Sequence, residues 1–212
     1  MSGTGDGCVI TCDESADGRG GQVEDARSLM GDADAAVGAD DELASLARSD
    51  PAAFGLLYRR HRLAVYRYLR ARVGSDDNAT ELTAVTFERA FAAIAGYRPA
   101  GAGFPAWLLR IARNAAIDAG RRKGAVPLMA DIRAAEETID PEHLVIARET
   151  AAALLAAVNR LPEVQREAIY LRFAARLSAR EIGAVIGKSE PAAQKLLSRA
   201  VAAIRESNDV ER

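Results

Sequence analysis

Apolar side chains recur at helical spacing from Asp50 to Lys123, which predicts a group of α-helices in this part of the chain. The first predicted helix is capped by Asp50, has a proline in its first turn and ends at Gly74. A second helix is predicted from Asp76 to Gly96. A third is predicted from Pro105 to Arg122, after a loop rich in Gly and Pro.

A second group of helices follows after a break in this pattern. The stretch from Gly124 to Pro141 lacks strong apolar spacing and is predicted to be a linker. Helical spacing resumes at Glu142 and continues to Asn159, where a Leu-Pro pair interrupts it. A further helix is predicted from Glu163 to Ala175. The chain is therefore predicted to be all-α.

The segment from Leu177 to Ala200 has the pattern of a helix-turn-helix. Ser178 and Glu181 have the spacing of a capping box, which predicts the start of the first helix. Gly187 can supply the left-handed conformation of the turn, and Ser189 can cap the second helix. One face of that second helix is apolar, and the other is polar and net basic.

The polar face of the second helix is suited to DNA. Glutamine and lysine near its start can reach base edges, while arginines suit phosphates. The candidate DNA-binding residues of the helix-turn-helix are Arg180, Lys188, Ser189, Gln194, Lys195, Ser198 and Arg199. The other interpretation is a plain helical hairpin with solvated charges, and the sequence favours DNA binding.

A second candidate site lies on the third predicted helix, where arginines and an asparagine share one stripe behind several aromatic residues. This combination is typical of single-stranded DNA binding, because phosphates bind arginines and unstacked bases stack on rings. The candidate residues are Tyr97, Trp107, Arg110, Arg113, Asn114, Asp118, Arg121 and Arg122. Asp118 is one turn from both Asn114 and Arg122 and can orient either. The other interpretation makes Trp107 a core residue and the arginines a solvated face.

The distribution of charge supports a nucleic-acid function, although the formal net charge is −2. Residues 1–49 contain 11 acidic and 3 basic side chains, whereas residues 50–123 contain 13 basic and 6 acidic ones. A basic body of this kind attracts phosphate. Residues 1–45 are interpreted as an acidic extension, disordered up to about Asp40 and followed by a short helix at Asp41–Arg48. Such a tail can lie over the basic body and weaken DNA binding.

Several kinds of site and protein class are not expected. Cys8 and Cys12 have no histidine nearby, and two ligands alone do not make a zinc site. Since no Gly-rich phosphate loop or histidine-centred site is found either, we expect no enzyme activity, no catalytic residue, no metal and no cofactor. No apolar run approaches the length that spans a bilayer, and the N-terminus does not have the pattern of a secretory signal. These features predict a cytoplasmic protein.

The third predicted helix resembles region two of the extracytoplasmic-function (ECF) sigma factors. Residues from Trp107 to Arg122 match the family pattern W-L-x-R-I-A-R-N-x-A-I-D-x-x-R-R. The segment from Leu161 to Glu206 is similar to region four of sigma factors, with a Leu-Pro-x-x-x-Arg-Glu helix leading into the helix-turn-helix. The resemblance implies two small helical domains at 46–123 and 144–208, joined by a flexible linker at 124–143 and preceded by the disordered tail.

The resemblance also implies a function. A sigma factor directs RNA polymerase core to promoters: region two reads and melts the minus-ten element, and region four reads the minus-thirty-five element. Arg110, Arg113 and Asn114 are then expected near a flipped base, and Arg121 and Arg122 on duplex phosphates. The implied partners are the polymerase core (clamp of the largest subunit and flap of the second), promoter DNA and an anti-sigma factor, with no membrane insertion.

Two departures from the family pattern leave an alternative open. In the core-binding helix, Ala84 and Val85 replace the usual Gln-Glu pair, and in the recognition helix Leu196 stands where a basic residue is frequent. The candidate core-binding residues that remain are Glu81, Leu82, Phe87 and Glu88. The alternative function is that of a stand-alone helix-turn-helix regulator that does not bind core polymerase.

Overall fold

The structure is a computed structural model that describes residues 38–99, 101–123 and 141–210. The linker predicted at 124–143 lies outside the described residues up to residue 140, and its last three residues are helical, because a helix begins at Pro141. The expectations for the extension before residue 38, including Cys8 and Cys12, also lie outside the described residues. All described residues belong to one compact unit, Val37–Arg212. Helices and connecting turns account for every described segment, so the all-α prediction is confirmed. No helix in these ranges is long and apolar enough to cross a membrane.

The helices fall into two groups along the chain. The first group is α1 over residues 38–46, α2 (Pro51–Val73), α3 (Asp76–Ala93) extended by a 3-10 turn (Ile94–Gly96), and α4 (Gly103–Lys123). The second group is α5 (Pro141–Arg160), α6 (Glu163–Ile169) continued by a π-helical turn (Tyr170–Ala174), α7 (Ala179–Ile186) and α8 (Glu190–Val210).

Several helix ends are set by the local capping residues that the sequence predicts. The Asp50 side chain accepts a hydrogen bond from the Ala52 amide at 2.8 Å and caps α2, which ends at Gly74 with a left-handed φ of 74°. Both halves of the capping box at Ser178 and Glu181 form at the start of α7. These predictions are confirmed.

Two predicted elements differ from the structure. Residues 38–40 were expected to be disordered but are helical. Asp40 is only 2% exposed, and its carboxylate accepts a hydrogen bond from Arg60 and pairs with His61, both of α2. The helix predicted from Glu163 to Ala175 is α-helical only to Ile169 and then widens into the π turn. Arg176 follows with a φ of 60°, a left-handed conformation that stops the helix.

The two groups of helices share one buried core. Helix α4 packs against α2 and α3 on one side and against α7 on the other. Leu108 of α4 and Ile182 of α7 are fully buried in this common core. A smaller cluster, formed by Val158, Leu161, Ile169 and Ala200, joins α5, α6 and α8. The helix-turn-helix therefore lies directly against the helix that carries the second candidate site.

Candidate nucleic-acid interface

An exposed polar stripe lies along α4. Trp107 lies half-buried at the start of the stripe. Three exposed residues follow on the same side of the helix, namely Arg110, Asn114 and Arg121. We call these four residues the α4 stripe. Arg122, one residue beyond it, is also exposed. Guanidinium and amide groups in line with an accessible indole can contact phosphates and an unstacked base along a single DNA strand.

Tyr97, which the sequence places at the DNA surface, is buried and 3% exposed. Its hydroxyl donates a hydrogen bond to Asp41 Oδ1 at 2.6 Å, and its ring packs edge-on against Trp107 with 5.1 Å between centroids. Burial, together with the hydrogen bond to Asp41, raises the pKa of Tyr97, so the phenol remains a donor. Tyr97 therefore supports Trp107 from behind and does not face solvent.

Arg113 lies off the α4 stripe and faces the second group of helices. Its Nε is 3.6 Å from Oε1 of Glu167 in α6, a carboxylate whose side chain is 3% exposed. Glu167 also accepts a hydrogen bond from the Tyr68 hydroxyl and is paired with Arg72 of α2. Burial raises the pKa of Tyr68 to about 12, so this phenol also stays protonated. In this arrangement Arg113 is paired with a carboxylate of its own chain.

Asp118 has a different partner from the two that the sequence suggests. Its Oδ2 accepts a hydrogen bond from Arg89 Nη1 of α3 at 3.1 Å, whereas Asn114 and Arg122 were the expected partners. Both members of this pair are about 40% exposed, so the pair adds little to stability. Because the bond crosses from α4 to α3, Asp118 helps to align these two helices.

All seven candidate residues of the helix-turn-helix are exposed. They are Arg180, Lys188, Ser189, Gln194, Lys195, Ser198 and Arg199. The Arg180 guanidinium reaches toward the loop before α4, where its Nη2 lies 4.0 Å from the point that a Cβ on Gly101 would occupy. Leu196, which stands where the family pattern is often basic, is half-buried and packs against the common core. Leu196 therefore holds α8 in place.

The candidate core-binding residues of α3 divide by exposure. Glu81 and Glu88 are exposed, but Leu82 and Phe87 are only 8% and 5% exposed. Phe87 packs against Tyr58 with 4.8 Å between ring centroids, so a partner cannot reach it. Phe91, one turn further on, is 48% exposed although its place in the apolar pattern predicts a buried side chain. Of the four candidate residues, only the two carboxylates are therefore accessible, and the exposed Phe91 ring lies on the same helix.

Two residues that the sequence analysis did not single out occupy central positions in this site. Asp41 joins α1 to the start of α4, and Glu167 joins α6 to α2 and α4. The loop before α4 has no side chain that could cap that helix, which indicates that the cap comes from elsewhere in the chain but does not identify Asp41. The sequence carries no comparable signal for Glu167, because Gln165 and Arg166 directly before it are polar as well.

Comparison with known proteins decides the family. Residues 57–126 match the family Sigma-70 region 2, and residues 151–204 match Sigma-70, region 4. The ECF RNA polymerase sigma factor SigD of Mycobacterium tuberculosis is 31% identical over 153 residues, which cover 67% of this chain and 70% of SigD. The chain belongs to the ECF family of RNA polymerase sigma factors. The match to region 2 covers most of α2 and all of α3 and α4, and the match to region 4 covers α7 and most of α8.

Other ECF sigma factors are similar over much of the chain. BldN of Streptomyces coelicolor is 41% identical over 152 residues, or 70% of this chain and 58% of BldN. SigE of Mycolicibacterium smegmatis is 36% identical over 135 residues, or 62% of this chain and 52% of SigE. The chain thus spans little more than half the length of these two relatives.

Solved structures show the same fold. CnrH, solved in complex with the cytosolic domain of CnrY, superposes with a TM-score of 0.62 at 26% identity, covering 82% of this chain and 99% of the CnrH chain. The sigma factor RpoE of Bartonella quintana, solved with the anti-sigma factor NepR, superposes with a TM-score of 0.58 at 23% identity. It covers 75% of this chain and 98% of the RpoE chain.

Proposed function

We propose that this chain directs RNA polymerase core to specific promoters and assists their melting. The observation that carries the proposal is that one chain exposes both the α4 stripe in region 2 and the polar side of the helix-turn-helix in region 4. The α4 stripe suits the minus-ten element as a single strand, since it combines arginines, an amide and an indole. Helix α8 suits the minus-thirty-five duplex, because its exposed Gln194, Lys195 and Arg199 can enter a major groove.

The proposal assigns a partner to each accessible surface. Glu81, Glu88 and Phe91 of α3 bind the clamp of the largest polymerase subunit, and region 4 binds the flap of the second. The domain limits are those expected from the sequence, with region 2 at 46–123 and region 4 at 144–208. CnrH and RpoE were each solved with a second protein, which for RpoE is an anti-sigma factor, and this supports an anti-sigma partner here. Under this proposal the chain is located in the cytoplasm, and it is associated with the nucleoid while it is bound to polymerase.

Transcription with purified polymerase core tests the proposal. A pull-down first checks that the chain binds core, and run-off transcription on genomic fragments then identifies a promoter. On that promoter, the double variant Arg110→Ala, Asn114→Ala is expected to lower permanganate-detected opening by at least about tenfold, because base and phosphate contacts of this kind contribute about 1–3 kcal/mol each. Arg48→Ala, which removes an exposed arginine outside the α4 stripe, is expected to open the promoter as the wild type does.

The outcomes separate the two candidate functions. Core-dependent transcription that falls in the double variant supports the sigma factor. A chain that binds promoter-like duplexes but does not bind polymerase core in the pull-down would be a stand-alone helix-turn-helix regulator. The match of residues 57–126 to sigma region 2 speaks against that alternative.

A further inference from the structure

Helix α4 begins without a capping side chain of its own. The residues that precede it and begin it are Pro, Ala, Gly, Ala and Gly, at positions 99–103, and none of them has a side-chain oxygen. The first amide groups of a helix have no partner within the helix, so the start of α4 needs an acceptor from elsewhere.

Asp41 of α1 supplies that acceptor. Its Oδ1 accepts a hydrogen bond from the backbone amide of Phe104, the second residue of α4, at 2.8 Å. The same oxygen accepts the Tyr97 hydroxyl at 2.6 Å. The second amide of a helix is a normal site for a capping oxygen, and a negative charge there also interacts favourably with the helix dipole. One carboxylate therefore fixes both the last turn before the loop and the first turn after it.

The two groups that Asp41 holds form the support of Trp107. The ring of Tyr97 lies 5.1 Å from that of Trp107, and the ring of Phe104 lies 5.5 Å from it, centroid to centroid. Trp107 in turn begins the α4 stripe. A displacement of Tyr97 or of the first turn of α4 would therefore displace the indole relative to Arg110 and Asn114.

Helix α1 is packed against its neighbours, and this packing fixes the position of the Asp41 carboxylate. Asp40 is buried against Arg60 and His61 of α2. Ala44 and Ala47, one and two turns further along, are 0% and 4% exposed. Asp41 therefore reaches α4 from a helix that is packed on region 2.

We propose that Asp41 is a positioning residue for promoter opening, which caps α4 from α1 and, through Tyr97 and Phe104, holds Trp107 at the start of the α4 stripe. The proposal rests on the proposed function, because opening is the activity that the α4 stripe would perform. It extends the functional part of region 2 to α1, which lies before the residues that match the Sigma-70 region 2 family.

The fluorescence of the free chain tests the geometric half of the proposal. Trp107 is the only tryptophan of the chain, so its emission reports on this site alone. Asp41→Ala is expected to shift the emission to longer wavelength and to increase acrylamide quenching, whereas Asp41→Asn, which keeps an oxygen acceptor, is expected to restore values near those of the wild type. Glu42→Ala removes the neighbouring exposed carboxylate and is expected to change neither.

A second variant covers the case in which Asp41→Ala fails to fold. Tyr97→Phe removes only the hydroxyl that Asp41 accepts and keeps the ring against Trp107. It is expected to increase the quenching of Trp107 in a chain whose circular dichroism is that of the wild type. Unchanged emission and quenching in both Asp41→Ala and Tyr97→Phe would overturn the proposal.

Promoter opening tests the functional half. With saturating polymerase core, Asp41→Ala is expected to lower permanganate-detected opening of a duplex promoter about five- to thirtyfold, the factor that one or two kcal/mol produces. Asp41→Asn is expected to recover most of the loss, and Glu42→Ala to match the wild type. Normal opening by Asp41→Ala would overturn the proposal. If the wild type itself neither binds core nor opens promoters, the proposed function fails, and the fluorescence still decides whether Asp41 positions Trp107.

Discussion

At the scale of single residues, the two adjacent carboxylates of α1 have different environments. Asp41 is half-buried and binds neutral donors at the start of α4. Asp40 is buried against two potential cations, Arg60 and His61. Burial raises the pKa of Asp40, but the hydrogen bonds and charges of His61 and Arg60 together lower it by more than burial raises it. The pKa of Asp40 therefore lies below the ordinary value of 3.8. Asp40 therefore stabilises the fold in its ionised form.

The pH dependence of stability tests the contribution of Asp40. A carboxyl group whose pKa is lowered in the folded chain stabilises it above the ordinary pKa, and this stability is lost as the pH falls through the folded pKa. Asp40→Asn is expected to lower the free energy of unfolding by about 1–2 kcal/mol at neutral pH. The difference from the wild type should begin to shrink below about pH 5 and should continue to shrink as the pH falls below the ordinary value of 3.8. Urea denaturation at several pH values measures it, and a difference that is constant with pH would contradict the assignment.

At the scale of elements, the sequence predicts those helix ends whose capping residues are local. Asp50 and the Ser178–Glu181 box are within three residues of the amides that they cap. The local sequence is therefore enough to predict these two helix starts. The cap of α4 is 63 residues away from the amide it serves, and no local rule could find it. The π turn at Tyr170–Ala174, whose Leu171 is fully buried in the common core, is likewise not predicted by the local helical pattern.

The turn of the helix-turn-helix depends on a close approach at Gly183 of α7. A Cβ at this position would lie 2.6 Å from the Lys188 carbonyl oxygen, which is part of the backbone and cannot move away as a flexible side chain would. Gly183→Val is therefore expected to lower the free energy of unfolding by about 1–3 kcal/mol. Denaturant unfolding followed by circular dichroism measures this loss.

A matched substitution one residue further along separates the close approach from helix propensity. Ala184 is exposed on the same helix, and Ala184→Val is expected to cost no more than about 0.7 kcal/mol, the range of ordinary helix propensities. If Gly183→Val were as stable as Ala184→Val, the close approach would have no energetic consequence and the turn would tolerate a wider separation.

At the scale of the whole molecule, a single buried carboxylate connects region 2 to region 4. Glu167 of α6 meets Tyr68 and Arg72 of α2 and Arg113 of α4. Tyr68 and Glu167 are 99 residues apart in the sequence, so helical periodicity predicts the two groups of helices but not their contact. Arg113, expected from the resemblance to contact DNA, is here paired with this carboxylate. Release of Glu167 would therefore leave Arg113 without this carboxylate partner.

Replacement of Glu167 tests whether the buried pair holds the two regions together. Glu167→Gln keeps the size of the side chain but leaves Arg72, which is 16% exposed, without its buried counter-charge. The loss of one partner of a buried ion pair costs about 3–5 kcal/mol. We therefore expect a lower free energy of unfolding and a broader distance distribution between spin labels at Ala92 and Ala202, two exposed positions on α3 and α8. Cys8 and Cys12 are first replaced by serine in these samples.

Glu163→Gln is the control, because Glu163 lies on the same helix and its Oε1 is 3.7 Å from the same arginine, but its side chain is 72% exposed. An exposed pair contributes about 0–1 kcal/mol, so this variant should keep the stability and the narrow distance distribution of the wild type. Both variants remove one negative charge from the side of Arg72, so the difference between them measures what the burial of Glu167 and its contacts with Tyr68 and Arg113 contribute. Equal behaviour of the two variants would mean that the apolar core between α4 and α7, and not the Glu167 ion pair, keeps region 4 against region 2.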